Sequence, residues 1–97
     1  MKNGECDKGI LICRSGHGVA IVANKYKGIR AADIHSEEEA RFAKADDNIN
    51  VLTLGGDNLT VNEAICIIRT WIATEFKQGR YQERIHMIEE IENENMK

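Results

Sequence analysis

One continuous run constrains this chain more than any other: Ile10-Leu-Ile-Cys-Arg-Ser-Gly-His-Gly-Val-Ala-Ile-Val-Ala-Asn-Lys25. It reads as an apolar strand, a glycine turn and the start of a helix. That is the opening of a βαβ unit, which commits the following segments to a parallel sheet with right-handed crossovers. Cys13 stands at the carboxyl end of the strand, the edge at which open α/β sheets bind ligands. The Gly16 and Gly18 backbones allow close approach of a ligand to free N–H groups.

The rest of the chain keeps the same alternation. A helix is predicted over residues 19–26, closed by Lys25, Lys27 and Gly28. A second strand is predicted over 29–33. Ser36 and Glu39 have capping-box spacing, opening a helix to about Ala45. A third strand over 51–54 ends at Gly55-Gly56. Thr60 and Glu63 form a second capping box. The next helix carries Val61, Ala64, Ile65, Ile68, Trp71 and Ile72, read as one apolar side, with Cys66 and Trp71 in the core. After Gly79 a charged helix over 81–94 places Ile85, Ile88 and Ile91 three apart, and the polar stretch 89–97 is expected to fray.

The predicted order is β-α-β-α-β-α-α: one α/β domain with a partial doubly wound, Rossmann-like parallel sheet. Its C-terminal helix is expected to pack on a partner subunit. The first strand is the most apolar, as a central parallel strand would be. Yet it comes almost first, so it is expected either to form an exposed edge or to be covered by another chain.

Composition narrows the function. The 97 residues carry a net charge of −3, which argues against a nucleic-acid partner. No run approaches the roughly 18 apolar residues of a membrane span, so no membrane partner is expected. Cys6, Cys13 and Cys66 form no paired spacing, which reads as a reduced, cytoplasmic setting. His17, His35 and His86 lack H-x-x-x-H spacing, so no metal site is expected, and His17 and His35 are read as exposed loop residues.

Four features bear on chemistry. Cys13 at a helix start, beside Arg14, suits a nucleophile or base. A strand cysteine is as often buried and inert. The turn from Ser15 through Gly18 matches neither the dinucleotide nor the Walker A spacing, which leaves anion binding or a plain βα turn. Arg80 and Arg84 share a helical face and would hold a phosphate between two guanidiniums, or form a solvated surface pair. Asp46 and Asp47 are adjacent carboxylates at a helix end, suited to acid–base work or to a solvated turn. The residues alone leave each pair of readings open.

Their order does not. The segment 10–25, then Gly28-Ile-Arg-Ala-Ala32, then Asn50-Val-Leu-x-Leu-Gly-Gly56, then Gly79-Arg80-x-Gln82-x-Arg84 closely resembles type B ribose-5-phosphate isomerase and the galactose-6-phosphate isomerase subunits. The resemblance runs from about residue 4 to about residue 90. It implies an aldose–ketose isomerase acting on a phosphorylated sugar through an enediolate, without metal or cofactor, as a homodimer or tetramer with sites at the subunit boundary. Cys13 would be the base. Backbone amides of Ser15, Gly16, His17, Gly18 and Val19 would hold the enediolate oxygen. Ser15 would touch sugar hydroxyls, Asp46 and Asp47 would line the substrate, and Arg80 and Arg84 would hold the phosphate.

The chain also departs from the family. Members begin with a further strand and helix carrying an Asp-His pair; this sequence is read as opening at the helix just before the cysteine strand. The other expectation is therefore a non-catalytic phosphate-binding or assembly fragment. Asp46 stands where the family has a histidine, and Asp47 where it has an asparagine. Arg14 replaces a glycine and Ala20 a serine. Asp57 replaces an arginine, a change expected to weaken a nearby phosphate site by about 1–3 kcal/mol.

Overall fold

A computed structural model describes residues 7–96. Cys6 and the helix expected before the first strand lie outside the described residues. Among the described residues the order is β1 (Gly9–Cys13), α1 (His17–Ala23), β2 (Ala31–Asp33), α2 (Glu37–Asp47), β3 (Val51–Gly55), α3 (Val61–Ala73) and α4 (Arg80–Asn95). The three strands form one parallel sheet in the order β1-β3-β2. The predicted partial α/β architecture is therefore observed.

β3 is the central strand, and all five of its residues are buried. β1, the most apolar strand, is at the edge, and Ile12 is 66% exposed. Among the described residues no strand lies beside the second side of β1. An apolar groove of about 500 Å³ lies between the sheet and α1, lined by Leu11, Val19, Val22, Tyr26, Ile29 and Val51 among others.

Local chemistry sets the element ends. α1 is shorter than expected because residues 24–28 leave the helix as a turn, with Gly28 at φ 84°. β2 begins at Ala31 rather than at 29. The N–H of Arg30 instead donates to the side chain of Asn50. Ser36 caps α2 by accepting from Glu39 N–H at 3.1 Å. The Glu39 carboxylate takes the N–H of His35 instead of closing the box on Ser36. The box at Thr60 and Glu63 is complete, with bonds of 2.9 and 3.1 Å. These hydrogen bonds hold the Glu63 carboxyl below its usual pKa.

The core joins Ile34, Ala40, Leu52, Leu54, Ile67 and Trp71. Trp71 is buried as expected, and its indole N–H donates to the carbonyl of Ile49 at 3.1 Å. The buried stripe of α3 is Ala64, Ile67, Ile68 and Trp71, not the full set predicted. Val61, Ile65 and Ile72 face outward, and Cys66 is exposed rather than core. The reason is helical phase: 64, 67, 68 and 71 follow i, i+3, i+4, i+7, while 61, 65 and 72 fall on an adjacent stripe. The stretch from Glu89, expected to fray, is helical through Asn95. Glu92 anchors it, being buried with its carboxylate accepting from Gly28 N–H at 2.6 Å.

Candidate active site

Parallel strands give the sheet a starting edge and a finishing edge, and the candidate residues divide between them. Cys13 ends β1 opposite Gly55 of β3. Its carbonyl accepts from Gly56 N–H at 2.7 Å, and that of Arg14 accepts from Asp57 N–H at 3.1 Å. The finishing edge is thus fixed by main-chain bonds before any side chain acts.

The turn folds tightly over this edge. Gly16 is buried at φ 85° and caps α1. Its N–H donates to Cys13 Sγ at 3.0 Å. Its carbonyl accepts from the hydroxyl of buried Thr53 at 2.9 Å. Ser15 Oγ accepts from His17 N–H at 3.3 Å. The N–H groups of Gly18 and Val19 lie in the first turn of α1, where no intrahelical acceptor exists. Ser15 packs so closely on Gly55 that a Cβ there would sit 2.6 Å from the Ser15 carbonyl oxygen. A half-buried thiol and a cradle of donors therefore share one small surface.

Asp57 does not stand as a bare anion beside this cradle. Arg14 Nε lies 3.0 Å from its carboxylate. Arg14, where the resemblance expects a glycine, restores one of the two units of positive charge lost by an aspartate in place of an arginine at 57. The expected loss of phosphate attraction is reduced accordingly.

Asp46, Asp47, Arg80 and Arg84 lie at the other edge. α2 ends at Asp47 and leads into the first residue of β3, which pairs with the first residue of β1. Four residue steps of about 3.3 Å, roughly 13 Å of strand, separate that edge from Cys13. Lys77 N–H donates to the carbonyl of Ala45, tying the start of α4 to the same end. Within one chain, the structure does not bring these four residues to the cysteine.

They do form a cluster of their own. Lys77, Arg80 and Arg84 surround the ring of Tyr81, with their charged ends 5.0, 5.3 and 5.2 Å from its centroid. Asp46 pairs with Lys77 at 2.9 Å, while Asp47 is exposed. Arg80 hydrogen bonds the Tyr81 hydroxyl and, with Lys77, holds the phenol below its usual pKa of 10.0. The Asp46 carboxylate raises the Lys77 ammonium. Three cations against one paired carboxylate make an anion-attracting surface. Lys77 and Tyr81 were not singled out from the sequence; a lysine three residues before Arg80, with a tyrosine between the arginines, was the available signal.

A third grouping was also missed. His17 and His35 are exposed, as expected, yet both imidazoles reach the carboxylate of Asp33, each at 2.9 Å. Asp-x-His at the end of a strand was its sequence signal.

Comparison with known proteins places these features. Residues 1–88 match the Ribose/Galactose Isomerase family. A ribose-5-P isomerase B of Listeria innocua is 39% identical over 95 residues, covering 98% of this chain and 64% of that protein. Ribose-5-phosphate isomerase B of Clostridium thermocellum superposes with a TM-score of 0.94 at 41% identity, covering 97% of this chain and 64% of that one. The isomerase B of Mycoplasma genitalium, solved with bound ribulose-5-phosphate, gives 0.90 at 44%, covering 96% and 61%. The chain thus spans somewhat under two thirds of the length of the relatives it matches.

Proposed function

Given that the chain belongs to the ribose/galactose isomerase family, we propose that it supplies the catalytic cysteine and the phosphate-binding arginines of a sugar-phosphate aldose–ketose isomerase. Ribose 5-phosphate and ribulose 5-phosphate are the substrate pair. The observation that carries this reading is the contact of Gly16 N–H with Cys13 Sγ, 3.0 Å, at the finishing edge of β1. A sulfur held there by main chain is a positioned base beside unspent donors.

The reaction proceeds on the open-chain sugar. The Cys13 thiolate removes the proton from C2 of the aldose. The C2–H electron pair becomes the C1–C2 double bond, and the carbonyl electrons move to O1. The N–H groups of Gly18 and Val19 hold that oxyanion. The thiol then returns the proton to C1, while the O2 proton passes to O1 and the C2 carbonyl forms. No net oxidation occurs.

The separation of the two edges leads to the second element of the proposal: the phosphate cluster facing Cys13 comes from another copy of the chain. Arg80 and Arg84 of one protomer would meet the cysteine turn of its partner. The outward Met87, Ile88 and Ile91 of α4 supply apolar surface for such an interface. A metal or cofactor has no step in this reaction.

One observation favours a different outcome. The open edge of β1, with Ile12 exposed, leaves room for a strand that the described residues do not supply. On that reading the chain is an assembly fragment that binds phosphate without turnover. Interconversion of ribose 5-phosphate and ribulose 5-phosphate by wild type and Cys13→Ala, with sedimentation of both, separates the two. Turnover lost in Cys13→Ala supports the isomerase. Equal background rates from a folded oligomer support the fragment.

A further inference from the structure

The histidine–aspartate grouping beside the turn has no part in the isomerase chemistry, and its geometry points to a site for one divalent transition-metal ion, zinc by preference, held by His17, Asp33 and His35. The backbone explains why these three meet. Asp33 ends β2, and the next residue still follows the ladder, Ile34 N–H donating to the Thr53 carbonyl. Residues 33 and 35 therefore project to the same side. Ile34, between them, is buried in the core. His17, the first residue of α1, arrives from the adjacent turn.

The ligand atoms are already gathered. One ring nitrogen from each imidazole and one carboxylate oxygen of Asp33 all lie within 4.8 Å of one another. A tetrahedral ion with bonds near 2.0–2.1 Å needs its ligands about 3.3 Å apart. The imidazoles are 67% and 49% exposed, so small rotations reach that spacing without repacking. Asp33 is the fixed member, 11% exposed and backed by Gly16, with Oδ1 3.3 Å from the Thr53 hydroxyl.

Two further observations favour a metal over a plain ion-pair cluster. Asp33 Oδ2 is buried, and one ring nitrogen of each histidine lies 2.9 Å from it. One buried oxygen facing two imidazole nitrogens gives a single ion three donors on one side. Behind His35, the Glu39 carboxylate lies 3.5 Å from Nδ1 and also accepts the His35 N–H. That is the carboxylate–histidine support typical of metal ligands. Two imidazoles and a carboxylate suit zinc and its neighbours rather than magnesium or calcium, and leave a fourth position for water. A bound ion would tie β2 to the start of α1 across the Gly16 turn.

The test is titration of chelator-stripped protein with zinc chloride, followed by calorimetry, and with cobalt chloride, followed by visible absorption. The expected result is one equivalent bound, a cobalt spectrum of nitrogen–oxygen ligation, and a higher melting temperature with zinc. His35→Ala and His17→Ala, both at exposed positions, should each weaken binding at least about tenfold. His86→Ala and Cys66→Ser should bind as wild type does. No saturable binding, equal binding by the His17 and His35 variants, or a cobalt–thiolate charge-transfer band would overturn the assignment. None of these readouts depends on isomerase turnover.

Discussion

Gly16→Ala is the most revealing perturbation of the turn that carries the site. Gly16 sits at φ 85°, where an L residue costs about 1–2 kcal/mol. Its new methyl would also lie 2.8 Å from Asp33 Cγ, closer still to Oδ1, and 3.2 Å from Gly55 N. Overpacking against such neighbours costs about 1–3 kcal/mol. The total is about 2–5 kcal/mol, or a fall in melting temperature of at least about 8 °C for a domain of this size. The two parts separate in a double-mutant cycle. In an Asp33→Ala background the clash with Asp33 disappears while the backbone part and the closer contact with Gly55 N remain, giving a coupling of up to about 3 kcal/mol. Urea unfolding followed by the fluorescence of the single, buried tryptophan, Trp71, measures each corner. A loss at Gly16 below about 0.5 kcal/mol, or the same loss in both backgrounds, would refute the packing of Asp33 on the turn.

Thr53→Val keeps the shape of a buried side chain but removes the hydroxyl that the Gly16 carbonyl accepts from, so it should destabilise by about 1 kcal/mol in the same urea assay. Ultraviolet titration of Tyr81 should show its phenol ionising below 10.0, and Arg80→Ala should move it back upward. Because the folded value is depressed, this group's stabilising contribution is full above pH 10.0 and is lost as pH falls through the folded value. Glu92→Ala should release the end of α4, seen as faster amide exchange over residues 88–95, at a cost of about 1–2 kcal/mol.

The alternation of strand and helix was legible because glycine turns and capping residues punctuate it: Thr60 with Glu63 forms the box that its spacing predicts. The phase of α3 was harder. Val61, Ile65 and Ile72 are as apolar as Ile67, and only packing against the sheet decides which stripe is buried. Glu92 shows the converse, since a polar tail reads as frayed until the main-chain donor of Gly28 is seen to reach it. Cys13 and its turn were recognisable because everything that shapes them is local. Asp46, Asp47, Arg80 and Arg84 were recognisable as chemistry but not as place, because a parallel sheet carries them to its opposite edge. The cluster of His17, Asp33 and His35 eluded spacing rules because His17 opens α1 while Asp33 and His35 stand at the end of the strand that follows it.

The central claim is that the cysteine turn of one protomer works with the arginine cluster of another. Mixing two defective variants tests it most directly. Cys13→Ala and the double variant Arg80→Ala/Arg84→Ala are each expected to lack turnover of ribose 5-phosphate. After the two are unfolded together and refolded, half of randomly paired dimers carry one intact site of two, so activity should return to roughly a quarter of the wild-type level. Mixed dimers that form but regain no activity, from variants derived from an active wild type, would contradict a site shared between chains.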